Sequence, residues 1–479
     1  MKAFMKFIPI IVMGALVFRE IDILFAAFIG LIVAVFFCMI LEKKKLGDIM
    51  SAAIDGAKDG MYPAFVLMMA YALAEIYTSS GVGAAAIELF IHLGVTGRSV
   101  AMVAFLASCA LSLATGTSWG TYAACVPIFM WLANIVGGNP ALVFCACMGG
   151  AAFGDNVGLI SDTTILACGM MEVKVADRFK NQLVWSLSCV TVSAVLFYIT
   201  GVLMGLPTTT GNAADILANM PQETWDALME RRPSVITLLQ QVENGVSLLL
   251  LIPVVVVIVL AIKQVDTIIC LAVGIFLASV FGFVTGAYTS IGDVMDLIIG
   301  GFGDAGSWAV IMLFWAMAFG AVMRQMDAYA PLARWFVKIS KNVRQLLVCN
   351  GLLCLVVNAT LNEEMSQEAA IGPVIRDIVR DNVEASEEDM YQLQLRNAVF
   401  TDSVGCMTAE LIPWHTGVAY YLGLAVAVYP LYDFGAKDLY WNFMAIITIV
   451  SGYLLTLTGW DRFVRMKLPK EPDVRLKKY

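Results

Sequence analysis

A short segment in the first half of the chain combines acidic, amide and hydroxyl side chains inside apolar surroundings. Residues 154–164 have the sequence GDNVGLISDTT, and their oxygen-bearing side chains are Asp155, Asn156, Ser161, Asp162, Thr163 and Thr164. Such oxygens are suitable ligands for a hard cation. We therefore expect a cation site here, with Asp155 and Asp162 as sodium ligands that can also exchange a proton. The alternative is a polar surface loop in which Asp155 or Asp162 caps a helix.

A second polar segment precedes the first and is rich in glycine and hydroxyl side chains. It covers residues 113–127, LATGTSWGTYAACVP, and its candidate ligands are Thr117, Ser118 and Thr121. Glycine, serine and threonine favour caps and breaks over a continuous helix. A broken helix or a re-entrant hairpin exposes backbone carbonyls and helix ends, which suit a partly dehydrated Na+. The alternative is close packing of an unbroken helix through its small residues.

The second half of the chain has two polar segments of the same kind. Residues 358–373 have the sequence NATLNEEMSQEAAIGP, and their candidate ligands are Asn358, Asn362, Glu363, Glu364 and Ser366. Glu364 and Glu368 are four residues apart, so a helix would place them on one face. Residues 401–417 add Asp402, Thr408 and His415. Histidine changes charge near neutral pH, so His415 is a candidate for a proton-linked role, although a lone histidine is more often a packing residue.

The elements that position these segments must cross a membrane. Hydrophobic residues make up 60% of the 479 residues, charged residues make up 14%, and the mean hydropathy is +0.81. Soluble domains average about 45–50% apolar and about 25% charged residues. The apolar residues form runs such as 23–41, 183–206 and 246–262, and a helix that spans a bilayer needs about 17 to 25 residues. The composition predicts an all-α polytopic membrane protein.

The positions of the basic residues predict the orientation in the membrane. They cluster at Lys2 and Lys6, at Lys43–Lys45, at Lys174–Lys180 and in the C-terminal tail. By the positive-inside rule, the N-terminus, the loop at Lys43 and the C-terminus are cytoplasmic, which requires an even number of crossings.

No basic stripe with interleaved aromatic residues indicates a nucleic-acid partner. Two histidines and mostly singly placed cysteines argue against a zinc site, and Cys145-x-Cys147 is too closely spaced for one. No glycine-rich nucleotide motif indicates a cofactor other than coupling ions.

Blocks of the chain match later blocks, in the same order, at one offset of about 247 residues. The clearest match places Phe153–Thr164 over Phe400–Leu411, with the shared pattern F-x-D-x-V-G. The same shift places Thr115–Ala124 over Asn362–Ile371, and a third, apolar pair begins near residues 61 and 308. We therefore expect a duplicated chain. Internal repeats that meet at a midplane site are a common plan of secondary transporters.

The duplication predicts six parts. These are N-terminal helices (1–60), a first unit (61–206), a polar linker with a short amphipathic helix (207–245), connecting helices (246–307), a second unit (308–460) and a basic tail (461–479). Glu75 and Arg324 each interrupt an apolar run at matching places in the two units. We hypothesise that they form an ion pair across the interface between the units. The alternative places both side chains at the level of the lipid headgroups.

The polar segments resemble the NhaC family of Na+/H+ antiporters. GTSWGT (116–121), GDNVGLISDTT (154–164) and FTDSVGCMTAELIPWHTG (400–417) are similar to the family motifs G-T-S-x-G-T, G-D-x-x-S-P-x-S-D-T-T and S-G-x-x-x-S-x-L-I-P-W-N. The resemblance implies the ion-transporter superfamily fold, with two inverted repeats, paired re-entrant hairpins and an elevator-type homodimer in a bacterial plasma membrane. The ligands that it carries over are Thr117, Ser118, Thr121, Asp155, Ser161, Asp162, Thr163 and Thr164. Asp402, Thr408 and Trp414 match the late motif less closely.

The chain departs from the family motifs where a substrate should bind. Gly158 and Leu159 stand at the family's S-P, and His415 replaces the asparagine that follows Pro-Trp. The segment 362–368, NEEMSQE, is more acidic than its family counterpart. These departures leave the predicted fold unchanged and leave the identity of the solute open.

The leading hypothesis is Na+/H+ antiport by alternating access, with Asp155 or Asp162 as the shared group. The alternative is Na+- or H+-coupled transport or exchange of a small organic solute, an amino acid or a carboxylate, for which Arg324 and His415 are suitable. A channel would use the same polar breaks. An intramembrane aspartyl protease needs two close carboxylates, such as Asp155 and Asp402, but the local sequence AFGD lacks the G-x-G-D pattern. We therefore expect a transporter rather than an enzyme.

Overall fold

Apolar runs separated by short polar interruptions divide the chain into helices along its whole length. The computed structural model describes residues 2–158, 161–326, 329–464, 466, 468 and 473–477. Leu159, at which a family motif departs, and the tail residues Arg465, Lys467, Lys470 and Lys478 lie outside the described residues. Within them, the only β-structure is one antiparallel pair, β1 (Val383–Glu384) with β2 (Arg475–Leu476). The all-α fold class is confirmed.

The helices of the described chain fall into four groups along the sequence. The first group is α1 (Lys2–Met5), α2 (Ile8–Phe18), α3 (Ile23–Glu42) and α4 (Leu46–Asp59). The first predicted unit contains α5 (Met61–Ser79), α6 (Val82–His92), α7 (Val100–Thr115), α8 (Ser118–Val136), α9 (Pro140–Val157), α10 (Asp162–Met171) and α11 (Val175–Leu203). The third group is α12 (Ala213–Asn219), α13 (Gln222–Arg231), α14 (Pro233–Asn244), α15 (Ile252–Ile262), α16 (Thr267–Thr285) and α17 (Ile291–Ser307). The second predicted unit contains α18 (Ala309–Gln325), α19 (Tyr329–Ile339), α20 (Val343–Leu361), α21 (Glu364–Asn382), α22 (Glu387–Val399), α23 (Gly405–Ala409), α24 (Thr416–Val428) and α25 (Phe443–Thr458).

Several of these helices can cross a membrane. Among the described residues, eight helical segments are long and apolar enough, including α3, α11 and α16. Their outward faces carry large exposed apolar side chains, such as Phe36, Ile199 and Phe276. An apolar surface of this kind suits contact with lipid tails rather than with water. The membrane assignment made from composition is confirmed.

The bounds of the helices repeat at the offset of about 247 residues that the sequence shows. Shifted by this amount, α5 coincides with α18 to within one residue at each end, and α6 coincides with α19. α8 coincides with α21 in the same way. The matching sequence blocks therefore form matching elements in the two halves. The inverted orientation of the two units and the limits of the six parts stay predictions.

The segment 207–245 is more structured than a linker with one short helix. It forms three helices, α12 to α14, and α14 buries Val235, Leu238 and Leu239. These three residues have helical spacing and form an apolar stripe, which needs a partner surface. α5 and α6 provide that surface. The segment therefore packs as part of the helical body.

The same segment supplies the partner of Glu75. Arg232, which directly precedes α14, forms an ion pair with Glu75 and a second one with Asp304 of α17, at 2.6 Å. Arg324 instead lies 4.0 Å from Asp59. The hypothesis of a Glu75–Arg324 pair is wrong. The pattern of apolar runs contains no information on which polar segment folds back against α5.

Candidate functional site

The helix predicted to break in the first unit does so between α7 and α8. Gly116 has a φ of 72°, a left-handed conformation that glycine adopts at little cost, and Thr117 is extended. α8 then begins at Ser118. The break exposes the first N–H groups of α8, and the partial positive charge at this helix end favours an anionic group.

The second unit repeats this geometry between α20 and α21. Asn362 has a φ of 59°, Glu363 is extended, and α21 begins at Glu364. Asparagine visits the left-handed region more readily than most residues other than glycine. Glu363 accepts hydrogen bonds from the backbone N–H groups of Met365, at 3.0 Å, and Ser366, at 2.6 Å. This helix end is therefore capped by its own side chain.

Two further helical segments of the units are interrupted. α9 ends at Val157 and α10 begins at Asp162. In the second unit, α22 passes into a π-helical turn, Phe400–Val404, and an irregular segment separates α23 from α24. π-helical turns are rare and frequently mark functional sites. This turn contains Asp402.

A cavity of about 230 Å³ lies where the interruptions of both units meet. The predicted site residues that line it are Thr117, Ser118, Asp155, Ser161, Asp162, Thr163, Glu363, Glu364 and His415. Trp119 and Tyr421, which the motifs do not single out, also line the cavity, as does Glu410. Segments that are distant in the chain therefore converge on one acidic cavity.

Asp155 lies at the wall of this cavity and reaches the start of α8. One carboxylate oxygen accepts a hydrogen bond from the backbone N–H of Ser118 at 3.2 Å. The Asp155 carbonyl oxygen accepts hydrogen bonds from the hydroxyl groups of Thr163, at 3.3 Å, and Thr164, at 3.1 Å, which tie α9 to α10. Among the ion pairs of the described residues, none involves Asp155. Its carboxylate therefore faces the cavity beside a helix N-terminus and without a counter-cation.

Asp402 holds the position of Asp155 in the second unit but has a different environment. Arg178 forms an ion pair with Asp402, and both side chains are 0% exposed. Thr164 donates a hydrogen bond to the Asp402 carboxylate at 2.9 Å, and Arg178 also donates to the Asn156 carbonyl at 3.0 Å. Such additional hydrogen bonds are needed to offset the desolvation of a buried pair. The pair joins the first unit to the second.

Arg178 and Gln182 are not among the predicted site residues, because the basic cluster at Lys174–Lys180 indicates a segment outside the membrane. Instead α11 begins at Val175, so Arg178 and Gln182 lie one turn apart on its buried face. Gln182 donates hydrogen bonds to the Asn156 side-chain oxygen and to the Ser403 hydroxyl, both at 2.7 Å. The sequence feature that indicates a shared site is this spacing of two long polar side chains at the start of an apolar helix.

Asp402 also belongs to a cluster of three acids. Carboxylate oxygens of Glu364, Glu368 and Asp402 lie within 4.8 Å of one another. Glu364 and Glu368 share one face of α21, as their spacing predicts. Both carboxylate oxygens of Glu368 are buried and have no hydrogen-bond partner in the described structure. Because Arg178 can balance one charge, the cluster as a whole requires protons or a cation.

The ring of His415 is fully engaged by the protein. Its Nε2 lies 3.0 Å from the side-chain oxygen of Asn358, and its Nδ1 accepts a hydrogen bond from the N–H of Gly417 at 3.1 Å. Nε2 must therefore carry the hydrogen, and the ring is neutral. Asn358 also donates to the Thr408 hydroxyl at 3.1 Å. His415 thus lines the cavity as a neutral group with both nitrogens in use.

Nine predicted ligands do not line this cavity: the five whose contacts are given above, Asn156, Thr164, Asn358, Asp402 and Thr408, and also Thr121, Asn362, Ser366 and Trp414. Asn362 donates a hydrogen bond to the Ala316 carbonyl at 3.3 Å, and Ser366 accepts one from Arg324 at 3.0 Å. The Trp414 indole donates to the Ala359 carbonyl at 2.9 Å, and the hydroxyl oxygens of Thr121 and Thr115 lie 3.1 Å apart. Thr121 lines a second cavity, of about 280 Å³, between the α7–α8 break and helices α15 and α16. The tertiary structure therefore divides the predicted ligands into a group that faces the acidic cavity and a group that holds the breaks in place.

Comparison with known proteins agrees with this architecture. The model of the Na+/H+ antiporter family matches residues 3–202 and 150–460. The chain is 23% identical to the malate-2H(+)/Na(+)-lactate antiporter of Bacillus subtilis over 92% of each chain. It is 24% identical to the arginine/ornithine antiporter ArcD of Halobacterium salinarum, over 86% of this chain and 81% of that one. It is also 24% identical to the Na(+)/H(+) antiporter NhaC of Alkalihalophilus pseudofirmus, over 85% of each.

A solved structure, that of the YdaH transporter of Alcanivorax borkumensis, is similar at a TM-score of 0.37 and 16% identity over 88% of each chain. The family match covers nearly the whole chain and includes all four polar segments. The resemblance read from the motifs is confirmed. The protein is a secondary antiporter with multiple membrane-crossing helices, and it belongs to the Na+/H+ antiporter family.

Proposed function

We propose that this protein exchanges Na+ for H+ across the membrane, with Asp155 as the group that binds the two ions in turn. The observation that carries this proposal is the contrast between the duplicated residues Asp155 and Asp402. Asp402 is held by the guanidinium of Arg178, whereas Asp155 faces the cavity without a counter-cation. A carboxylate in that position is stabilised by a proton or by a cation, and either one excludes the other.

Asp155 is a better candidate for the shared group than Asp162. Asp162 also lines the cavity, but its side chain is exposed at the start of α10. Exposed charges are screened by water and salt, so they bind a counter-ion weakly. Asp155 lies deeper, against the N-terminus of α8. We therefore assign the exchange to Asp155 and expect Asp162 to attract cations toward it.

The wall of the cavity supports alternating access. Hydroxyl groups of Ser118, Ser161 and Thr163 lie in the wall with Asp155, and Glu363 and Glu364 enter from the second unit. A cation bound there contacts both units. A displacement of one unit against the other would change which side of the membrane the cavity faces, as in other transporters built from repeats.

A second candidate function is the coupled exchange of a small organic solute. It is favoured by the cavity volume of about 230 Å³, because one water needs on the order of 10–15 Å³ by a comparable measure. Two relatives carry names that include malate and lactate or arginine and ornithine. Members of the family therefore differ in solute, and a cavity of this size leaves room for one.

Ion fluxes in proteoliposomes test the proposal. The reconstituted protein, with an acidic lumen, should release lumenal protons when Na+ is added outside, as recorded with a pH-sensitive dye. Asp155→Asn should abolish this response. The matched control is Asp433→Asn, at a surface residue that is 97% exposed and pairs with Lys437. Exchange that survives Asp155→Asn overturns the role of Asp155, and a native protein that needs an organic solute for proton release overturns simple Na+/H+ exchange.

A further inference from the structure

We propose that the acidic cavity binds an organic ammonium compound, which means a solute with one or more protonated amino groups and no net negative charge. This inference rests on the proposed proton-coupled exchange and names a class of solute that shares the cavity with Na+. Three features of the cavity wall carry it: its one-sided charge, its aromatic side chains and its acids on separate elements.

The charge of the wall is one-sided. Its carboxylates are those of Asp155, Asp162, Glu363, Glu364 and Glu410, and no lysine or arginine lines the cavity among the described residues. His415 is neutral because its Nδ1 accepts a hydrogen bond from Gly417 and therefore carries no proton. A wall of one sign raises the local concentration of the opposite charge and rejects its own. The cavity therefore selects cations over carboxylates.

The arginines that could anchor a carboxylate are engaged elsewhere. Arg178 is buried on Asp402 and does not line the cavity. Arg324 donates a hydrogen bond to Ser366 and lines a separate depression together with Asp59. A dicarboxylate in the cavity would have no guanidinium partner. The sequence allows an amino acid or a carboxylate as the organic solute. Of the organic solutes, those with protonated amino groups fit this wall.

Trp119 and Tyr421 give the cavity surfaces that an inorganic ion does not require. The Trp119 ring stacks on Tyr420 with 4.4 Å between ring centroids and an interplanar angle of 21°, which fixes its orientation. The faces of aromatic rings attract ammonium groups and pack against alkyl chains. Na+ is bound instead by oxygen atoms, as other hard cations are. The rings therefore serve a solute with a carbon chain.

The acids of the wall come from separate elements. Asp155 belongs to α9, Glu364 begins α21, and Glu410 follows α23. One Glu364 oxygen is buried without a hydrogen-bond partner, and Glu410 is 4% exposed. Buried carboxylates that are not protonated require positive charges close to them. A diamine or a basic amino acid supplies two of them on one molecule, and Na+ supplies one.

The test uses the full-length protein in proteoliposomes with an acidic lumen, and the probes are NaCl, 1,4-diaminobutane, ornithine and malate. Saturable proton release on addition of 1,4-diaminobutane or ornithine, with competition by Na+, supports the inference. A response to Na+ with none to either amine overturns it and leaves the proposed Na+/H+ exchange intact. A response to malate also overturns it. No response to any probe overturns the proposed function together with the inference.

A substitution in the aromatic part of the cavity wall distinguishes binding of an organic ammonium compound from binding of Na+. Trp119→Ala should raise the half-maximal concentration of 1,4-diaminobutane roughly twofold to thirtyfold, and by a larger factor than it raises the half-maximal Na+ concentration. Trp119→Phe keeps a ring and should restore the amine response. Trp335→Ala, at a 50% exposed position of α19, is the matched control. Equal losses for Na+ and the amine would assign Trp119 a merely structural role and contradict the inference.

Discussion

The carboxylate of Asp155 accepts a hydrogen bond from the backbone N–H of Ser118, over 3.2 Å. A side chain of α9 thereby caps α8, whose N-terminus is exposed by the break at Gly116. The partial positive charge of a helix end stabilises the carboxylate without neutralising it. A full cation or a proton is still needed, and this is the state that the proposed exchange requires. Arg178 removes that need at the duplicated residue Asp402.

The difference in depth between Asp155 and Asp162 predicts unequal effects of removing their charges. Asp155→Asn should weaken Na+ binding roughly tenfold to hundredfold, because a contact with an ionised group contributes about 1.5–3 kcal/mol. Asp162→Asn should change it by less than about threefold, because exposed charge pairs contribute about 0–1 kcal/mol. Because Asp155→Asn should abolish proton release, Na+ binding to the purified variants is measured directly, by isothermal titration calorimetry. Equal losses in the two variants would contradict the assignment to Asp155.

The buried pair of Arg178 and Asp402 predicts a large, rescuable loss of stability. Arg178→Ala should lower the free energy of unfolding by about 3–5 kcal/mol, because it leaves a buried carboxylate uncompensated. Adding Asp402→Asn should recover much of this loss. Thermal unfolding of the purified protein in detergent measures it, with Arg334→Ala, at an exposed position of α19, as the control. A double variant no more stable than Arg178→Ala would show that the pair is not the cause.

The partner of Glu75 can be tested by double-mutant cycles. Glu75→Gln and Arg232→Ala should couple by about 0.5–3 kcal/mol, because the two side chains form an ion pair. Glu75→Gln and Arg324→Ala should be additive within about 0.5 kcal/mol, because they share no partner. Denaturation midpoints of the single and double variants give these energies. Coupling in the second cycle alone would restore the pairing predicted from the sequence.

A close approach of α9 to α7 predicts that Gly154 cannot be replaced. A Cβ atom at Gly154 would lie 2.2 Å from the carbonyl oxygen of Ser112, whereas a Cβ at Gly169 of α10 meets nothing within 4 Å. Gly154→Ala should destabilise the protein by about 1–3 kcal/mol or more, because neither backbone can yield easily. Gly169→Ala should be stabilising by roughly 0.5–1 kcal/mol, because alanine is the better helix former. Thermal unfolding distinguishes them, and equal effects would contradict the close contact.

An ion pair between the loop after α10 and helix α21 predicts a pH dependence of stability. The hydrogen bond from Arg380 to Glu172, 2.7 Å long, and the positive charges of Arg380 and Arg376 lower the pKa of Glu172 from its ordinary value of 4.5. The contact therefore contributes fully above about pH 4.5 and is lost as the pH falls through the lowered pKa. Glu172→Gln should lower Tm at neutral pH and make it less dependent on pH in the acid range. Glu388→Gln, at an exposed position in α22, is the control. If the Tm of Glu172→Gln depended on pH in the acid range as strongly as that of the native protein, the assignment would be contradicted.

The local sequence was sufficient to predict the helices and their interruptions. The apolar runs predict the membrane-crossing helices, because a bilayer allows few alternatives to a helix. The breaks beside Gly116 and Asn362 could also be predicted, because glycine and asparagine adopt the left-handed conformation and their neighbours disfavour a continuous helix. Residues that flank the breaks then reach the cavity for the same local reason.

The sequence by itself determined the class of protein, the duplication, the family and the segments that form the candidate site. Only the tertiary structure decided that Arg178 pairs with Asp402 while Asp155 has no ion pair among the described residues, that Arg232 is the partner of Glu75, and that Trp119 lines the cavity. The physical reason is that ion pairs and cavity walls depend on which distant helices lie side by side. Two aspartates in equivalent motifs have the same local sequence pattern, and their contacts differ because different helices pack against them.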